Sequence, residues 1–357
     1  MNQTYINFIN QAFNECLEND SKVILFGLGV GDVGAVFGST ANLQSKYGSE
    51  RVFEIPLSEN AVTGMALGLA MQGFRPVMMH QRADFSFTSA EQIINQIAKT
   101  SYMSGGIYKV PLVIRMIVGR GWGQGPTHAQ SPHAIFSHVP GLQVVAPATP
   151  MDGYHLMKQS IASDDPVIFL EHRWLHQISE KLITNKAVHS IFDASIIKSG
   201  SDLTLISLSY GVTECLKMAE VLSEIGISAE VVNLRSIQPL DKVRILQSVK
   251  KTKKAAILDI GHIEFGITGE ISHIINSGLF GSLSHPVLRF GLPKEPTPSS
   301  AALALDHYPL IEKMLGELNE HFQLNFNLDK AIKIFSEKFP YRSKYKDQPD
   351  GGSVGPF

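Results

Sequence analysis

The stretch Val52-Phe53-Glu54-Ile55-Pro56-Leu57-Ser58-Glu59-Asn60-Ala61-Val62-Thr63-Gly64-Met65-Ala66-Leu67-Gly68-Leu69-Ala70, followed by Pro76-Val77-Met78-Met79, decides the fold class. A short apolar run gives way at 59–73 to apolar residues at helical spacing, and a second short run follows, which reads as a β-α-β unit. The alternation extends outward. Val23-Ile24-Leu25-Phe26 precedes it, and Leu112-Val113-Ile114-Arg115-Met116, Val144-Val145 and Val167-Ile168-Phe169-Leu170 follow, with another helical pattern at 87–103. A parallel sheet flanked by helices is the expected result.

Across Lys181 to Ser201 the pattern weakens, interrupted by Asn185, Ser190, Ser195 and Gly200, and it restarts at Leu203-Thr204-Leu205-Ile206. Helices at 210–225, 241–250 and 267–277 then alternate with strands at Ala229–Val232, Ala255–Leu258 and Pro286–Arg289. The expectation is an α/β protein of two parallel or mostly parallel sheet domains: 1–180, a linker at 181–200, a smaller domain at 201–325, and an extension at 326–357. The last stretch, Tyr341 to Phe357, is polar and glycine-containing, and reads as a flexible or partner-docked tail.

Composition narrows the function classes. With 357 residues, 44% hydrophobic and 18% charged, the chain can bury two sizeable cores. A net charge of -2 gives no nucleic-acid footprint, and the lysines at 250, 251, 253 and 254 read as a solvated helix end. Cys16 and Cys215 stand far apart in helical patterns, which argues against a disulfide framework or a cysteine zinc site and for a reducing cytosol. No run is long and apolar enough for a bilayer, so no membrane partner and a cytoplasmic location are expected. His172 and His176 lie four apart but at a strand end, and no metal site is assigned to them or to any other histidines.

Gly29-Val30-Gly31-Asp32-Val33-Gly34 matches G-x-G-x-x-G after a strand, with Glu54 downstream, as a dinucleotide-binding unit would. The residues that follow, Phe37-Gly38-Ser39-Thr40-Ala41-Asn42, are poor helix formers where a phosphate-cradling helix should begin. The motif is read as a glycine-rich loop at a domain interface instead. Glu59 heads a glycine- and alanine-rich helix, where an acid is favoured by the helix dipole. Two readings stay open on these residues alone: Ser58 capping with Glu59 steadying the first turn, or Glu59 as a catalytic acid.

Four further segments, Gln81-Arg82-Ala83-Asp84-Phe85, Ala98 to Gly106, Gly125-Pro126-Thr127-His128-Ala129-Gln130-Ser131 and Asn233 to Asp241, occur in order with Pro140 to Pro147 and Asp165 to Glu171. Together they resemble the beta subunit of the thiamine diphosphate-dependent 2-oxo acid dehydrogenase (decarboxylating) component, over roughly residues 1 to 315. The resemblance implies a transketolase-type pyrimidine-binding domain followed by a transketolase C-terminal domain. It makes Glu59 and His128 the catalytic residues, and Glu59, Phe85, Gln81 and Leu57 the cofactor-binding set. An acid is needed because a carboxyl hydrogen bond to the aminopyrimidine nitrogen favours the imino tautomer, which takes the proton from the thiazolium carbon. Phe85 would stack on that ring. His128 would transfer protons near neutral pH.

Thiamine enzymes bind the diphosphate and Mg²⁺ through a Gly-Asp-Gly start and a later asparagine, and this chain has no Gly-Asp-Gly. An alpha-type partner that carries that site is therefore expected, in an assembly of two alpha and two beta chains, with a lipoyl-bearing acyltransferase as a further partner. Family members can also hold a structural K⁺ on backbone carbonyls. Asn60-Ala61-Val62-Thr63 and Gly125-Pro126-Thr127-His128 are also similar to deoxyxylulose phosphate synthases, so the alternative is a split transketolase-like carboligase that passes the acyl carbanion to an aldehyde. Arg82, together with Arg120 and Trp122, points to an anionic or bulkier substrate or acceptor.

Overall fold

The computed structural model describes residues 2–119, 123–181 and 190–344. Its strands are β1 (Asn2–Thr4), β2 (Val23–Gly27), β3 (Val52–Glu54), β4 (Arg75–His80), β5 (Val113–Val118), β6 (Gln143–Val145), β7 (Val167–His172), β8 (Ser179–Lys181), β9 (Ser195–Lys198), β10 (Leu203–Ser207), β11 (Ala229–Asn233), β12 (Ser236–Gln238), β13 (Ala255–His262) and β14 (Leu288–Leu292). Strands β2, β5 and β7 are buried at every residue. That explains their unbroken apolar runs, since a parallel strand covered by helices on both faces has no wet side.

Contacts divide the chain into two units, one from Met1–Gly119, Ser131–Ile191 and Ser236–Pro239, the other from Arg120–Gln130, Phe192–Arg235 and Leu240–Phe357. Among the described residues, the first holds a seven-stranded sheet in the order β12-β6-β7-β5-β4-β2-β3, parallel except for the edge strand β12. A separate antiparallel pair, β1 with β8, closes its N-terminus. The helix Tyr5–Asn19 starts where Thr4 Oγ1 accepts the Asn7 N–H at 3.4 Å. It buries Tyr5, Phe8, Ile9, Ala12, Phe13 and Leu17, a stripe at helical spacing, against the helix Pro150–Ala162. Each large side chain so buried stabilises the fold by about 1.5–3 kcal/mol before chain entropy is counted.

The second unit carries the five-stranded sheet β14-β13-β10-β11-β9, again parallel except at one edge, where β9 runs antiparallel to β11. The α/β expectation of two mostly parallel sheets holds. Three local features differ from the sequence pattern. The helical pattern at 87–103 changes pitch, from a 3₁₀ turn at Ala83–Ser89 through a π stretch at Gln92–Ile97 to an α-helix at Ala98–Met103. Strand β9 falls within the expected linker; as an edge strand with Ile196 and Ile197 partly exposed, it shows no clear alternation. The loop from Gly123 to Gln130 groups with the second unit although it follows β5 of the first.

In the expected C-terminal extension, the helix Leu328–Lys338 packs on the helix Tyr210–Glu224. The helix Pro340–Lys344 follows, with Arg342 buried. Residues 345–357, most of the expected tail, lie outside the described residues, as do Arg120, Trp122 and 182–189 of the linker. Among the described residues no helix is long and apolar enough to cross a membrane.

Candidate functional site

Because β2, β3, β4, β5, β6 and β7 run parallel, the segments that follow them emerge on one edge of the first unit's sheet. Carboxyl edges of parallel sheets are where ligands bind in such folds. After β2 comes the glycine-rich loop. The Glu54 carboxylate, at the end of β3, accepts the Gly29 N–H at 2.6 Å and the Gly31 N–H at 3.1 Å. The amides that a dinucleotide phosphate would need are thus engaged by a protein carboxylate, and residues 28–42 form turns rather than a helix start. Gly29 has φ +77, and a Cβ there would lie 2.2 Å from Gln81 Nε2. That approach lets Gln81 donate to the Leu28 carbonyl at 3.0 Å.

After β3 the chain turns through Leu57, 78% exposed, into the helix Glu59–Met71. Ser58 makes no capping hydrogen bond, so the simple cap reading of the Ser58-Glu59 pair loses half its basis. Glu59 stands half-buried at the first turn, and its carbonyl accepts from the buried Thr63 hydroxyl at 2.7 Å. Next to it, Asn60 Nδ2 donates to the Thr88 carbonyl at 3.3 Å, and Gln92 Nε2 donates to Asn60 Oδ1 at 3.3 Å. These bonds lock the Glu59 end of the helix to the 3₁₀ turn that follows β4. Phe85 sits half-buried in that turn, where the Thr88 hydroxyl donates to its carbonyl at 2.7 Å. Glu59, Leu57, Gln81 and Phe85 therefore share one sheet edge.

His128 stands apart from these four, on the loop that groups with the second unit. Its ring Nδ1 lies 3.0 Å from Thr127 Oγ1, and the side chain is exposed. The loop is tied down by the Gly123 N–H on the Ser299 carbonyl, at 2.8 Å. It also passes Ser299 at Gly125, whose φ of +68 and lack of a Cβ the close approach requires.

A second group at the first unit's edge carries no motif. Glu171, wholly buried near the end of β7, accepts from Arg115 of β5, from Tyr5 Oη at 3.2 Å and from His176 Nε2 at 2.9 Å. On the other side of the His176 ring, Arg173 Nη1 lies 3.0 Å from Nδ1. A guanidinium can only donate, so Nδ1 accepts and the proton sits on Nε2. The neutral form agrees with burial, which pushes the His176 imidazole down to about 4 against the pull of Glu171. Burial alone would raise the Glu171 carboxyl, but Arg115 and His176 outweigh it and hold it at about 2. His172 and His176 thus belong to hydrogen-bonded packing at the strand end; the sequence signal for the group, Glu171 with a histidine five residues on, is too short to be read without the fold.

This sheet edge and the α/β unit after it define the class: a transketolase-type pyrimidine-binding domain followed by a transketolase C-terminal domain. Residues 2–177 match the family described as "Transketolase, pyrimidine binding domain", and residues 193–313 match "Transketolase, C-terminal domain". Within that class the chain belongs to the family of 2-oxo acid dehydrogenase beta subunits. It is 37% identical over 311 residues to the 2-oxoisovalerate dehydrogenase subunit beta of Bacillus subtilis, covering 87% of this chain and 93% of that one. It is 38% identical over 300 residues to the pyruvate dehydrogenase E1 component subunit beta of the same organism, covering 84% and 92%. Among solved structures, a split-gene transketolase described as an inactive beta4 tetramer matches with a TM-score of 0.74 over 89% of this chain and 98% of that one; at 19% identity this is a likeness of fold. The dehydrogenase relatives favour the dehydrogenase reading over the carboligase alternative.

Proposed function

We propose that this chain is the beta half of a thiamine diphosphate-dependent component that decarboxylates a 2-oxo acid, pyruvate or a branched-chain one, and passes the acyl group to a lipoyl carrier. The observation that carries the proposal is the pairing of a half-buried acid, Glu59, with a half-buried aromatic, Phe85, on two elements bonded together through Asn60 and Thr88. An acid and an aromatic ring on two linked elements at one sheet edge are the residue types that an aminopyrimidine requires, so the residues present fit the group. When bound, thiamine diphosphate would supply a nucleophilic carbon for the 2-oxo carbon and a thiazolium ring that accepts the electrons released by decarboxylation.

Glu59 holds a proton at the aminopyrimidine nitrogen in this reading, and Phe85 orients the ring by its face. Leu57 and Gln81 complete the contact, Leu57 with apolar surface and Gln81 from the pinned glycine loop. His128 is the proton-transfer residue of the loop at 123–130. The diphosphate and Mg²⁺ fall to an alpha-type partner because this chain has no Gly-Asp-Gly, and the assembly is two alpha with two beta chains, located in the cytoplasm.

The test is co-expression with a chain that carries Gly-Asp-Gly, followed by assay with pyruvate or a branched-chain 2-oxo acid and either a lipoyl domain or an aldehyde. Acyl-lipoyl product is expected. Glu59→Gln is expected to lower the rate by about 10²- to 10⁴-fold while the complex still assembles. Undiminished activity of that variant, or carbon–carbon bond formation alone, overturns the proposal.

A further inference from the structure

Glu59 and Phe85 stand on two separate elements, each with its own supports. The helix Glu59–Met71 opens without a side-chain cap at Ser58, which leaves its first turn the least secured part of it. One brace comes from beneath. The buried Thr63 hydroxyl donates to the Glu59 carbonyl at 2.7 Å and lies 3.3 Å from Met78 Sδ on β4.

The turn Ala83–Ser89 is braced by its own hydroxyls. Ser86 donates to the Ala83 carbonyl at 2.6 Å, Thr88 to the Phe85 carbonyl at 2.7 Å, and Ser89 to the Ser86 carbonyl at 3.1 Å. That three-residue rhythm is the 3₁₀ repeat itself. The Thr88 carbonyl takes a donor from the other element instead: Asn60 Nδ2 reaches it at 3.3 Å.

Asn60 is oriented in turn by the π stretch. Gln92 Nε2 donates to Asn60 Oδ1 at 3.3 Å and to Glu91 Oε2 at 2.7 Å, and Glu91 Oε1 accepts from Gln96 Nε2 at 2.8 Å. Glu91 and Gln96 are five apart in sequence, the hydrogen-bonding step of a π-helix, and short π segments of this kind recur at functional sites. Gly64 leaves room for the crossing, since a Cβ there would lie 3.2 Å from Gln92 Oε1. A glycine inside a helix costs about 1 kcal/mol against alanine, so the helix Glu59–Met71 gives up stability where Gln92 passes over it. These bonds are exposed to solvent, where water replaces a broken bond and each contributes little to stability. Their consequence is geometric.

We infer that Asn60 is a positioning residue of the thiamine diphosphate site and that Gln92 orients it, the two holding the helix of Glu59 in register with the turn of Phe85 before the cofactor arrives. The inference rests on the proposed function and goes beyond it, because neither side chain belongs to the set that would touch the aminopyrimidine. A ring that must meet an acid at its edge and an aromatic at its face binds more tightly to a pair already in register, since less ordering remains to be done on binding. Proton transfer is the more demanding step, because a small misplacement of the acid slows it.

The experiment compares the unaltered two-subunit complex with Asn60→Ala, Gln92→Ala, the double variant and Asn60→Gln, each titrated with thiamine diphosphate and Mg²⁺ and assayed with the 2-oxo acid it accepts. Asn60→Ala is expected to lower kcat and to raise the half-saturating thiamine diphosphate concentration, each by about three- to ten-fold. KM for the 2-oxo acid should hold, and the melting temperature should move by no more than about 2 °C. Adding Gln92→Ala to Asn60→Ala should cost nothing further if the two act through one link, and Asn60→Gln, which keeps both amide groups, should restore part of the loss. Unchanged kcat and cofactor titration in Asn60→Ala, additive losses in the double variant, or a loss that follows a fall in melting temperature overturns the inference. A second readout needs no turnover. In the complex freed of thiamine diphosphate, amides of residues 85–91 should exchange about three-fold faster in Asn60→Ala, and unchanged exchange there also overturns it. If the unaltered complex turns over no 2-oxo acid, the proposed function fails, while this exchange still decides on the link.

Discussion

Among the described residues each unit buries an arginine–glutamate pair, and the two pairs are put to different use. In the first unit Arg115 and Glu171 are both fully inaccessible, and they sit in a web with Tyr5, Ser39 and His176 that leads to Arg173 at the sheet edge. In the second unit Arg342 binds Glu214 through Nε at 3.3 Å and Nη2 at 3.0 Å, with Lys217 3.6 Å away, and the bond holds a five-residue terminal helix on the helix Tyr210–Glu224. The first pair joins two central strands. The second joins the end of the chain to a helix. A buried ion pair therefore says little about its own purpose; what it connects decides how far a break will spread.

The largest break should come from Arg115→Met. It leaves the Glu171 carboxylate buried between strands that cannot part, and a loss of about 3–5 kcal/mol is expected in chemical denaturation. A loss under about 1 kcal/mol would mean that Tyr5 and His176 suffice for Glu171.

Acidification tests the first unit's web, which contains a buried histidine. His176 and the buried His80 are both pushed from 6.5 down to about 4, so the unfolded chain takes up protons before the folded one. The stability contributed by their neutral forms is present above pH 6.5 and is lost as the pH falls towards 4. Glu171, held at about 2 against 4.5, adds a loss of the same sign between pH 4.5 and 2. At pH 5.5 the two histidines together should cost about 2 kcal/mol relative to pH 7. Hydrogen exchange should find β5 and β7 loosened, and His176→Gln should flatten the slope between pH 6.5 and 4. A stability independent of pH over that window would contradict the buried neutral assignment.

Arg342→Ala should be the mildest. With the terminal helix released, Glu214 keeps Lys217 and gains water, so a global loss of about 1–2 kcal/mol is expected. Amides of 340–344 should exchange fast while β10 and β11 stay protected. A collapse of the whole second unit would show that the helix is part of its core.

Much of the fold was legible because the central strands are wet on neither face. Runs such as Val23–Phe26 and Val167–Leu170 could hardly be anything else between helical patterns. Strand β9 was not legible, since an edge strand has only one neighbour to satisfy. In the candidate site, Glu59 and Phe85 were proposed through the family resemblance, but the absence of a Ser58 cap and the Asn60–Thr88 link required the structure. Glu54, which follows the glycine motif at the spacing of a dinucleotide-binding acid, instead occupies the amides of that very loop, which only the structure shows. Phe37 and Arg173 escaped notice, and His176 was weighed only as a metal ligand, because Phe37 lies 45 residues before Arg82 and Arg173 lies 91 residues after it, and no local period joins them.

By itself the sequence determined the β-α alternation, the acid at the head of a small-residue helix and the lack of a Gly-Asp-Gly, because periodicity, helix-terminal chemistry and the presence of a motif are properties of neighbouring residues. Only the tertiary structure decided that the segments after β4 and β7 bring Arg82 and Arg173 over the ring of Phe37, and that His176 stays neutral between Arg173 and Glu171. Those outcomes depend on the order of strands in the sheet and on exclusion of water, neither of which is written in the spacing of residues along the chain.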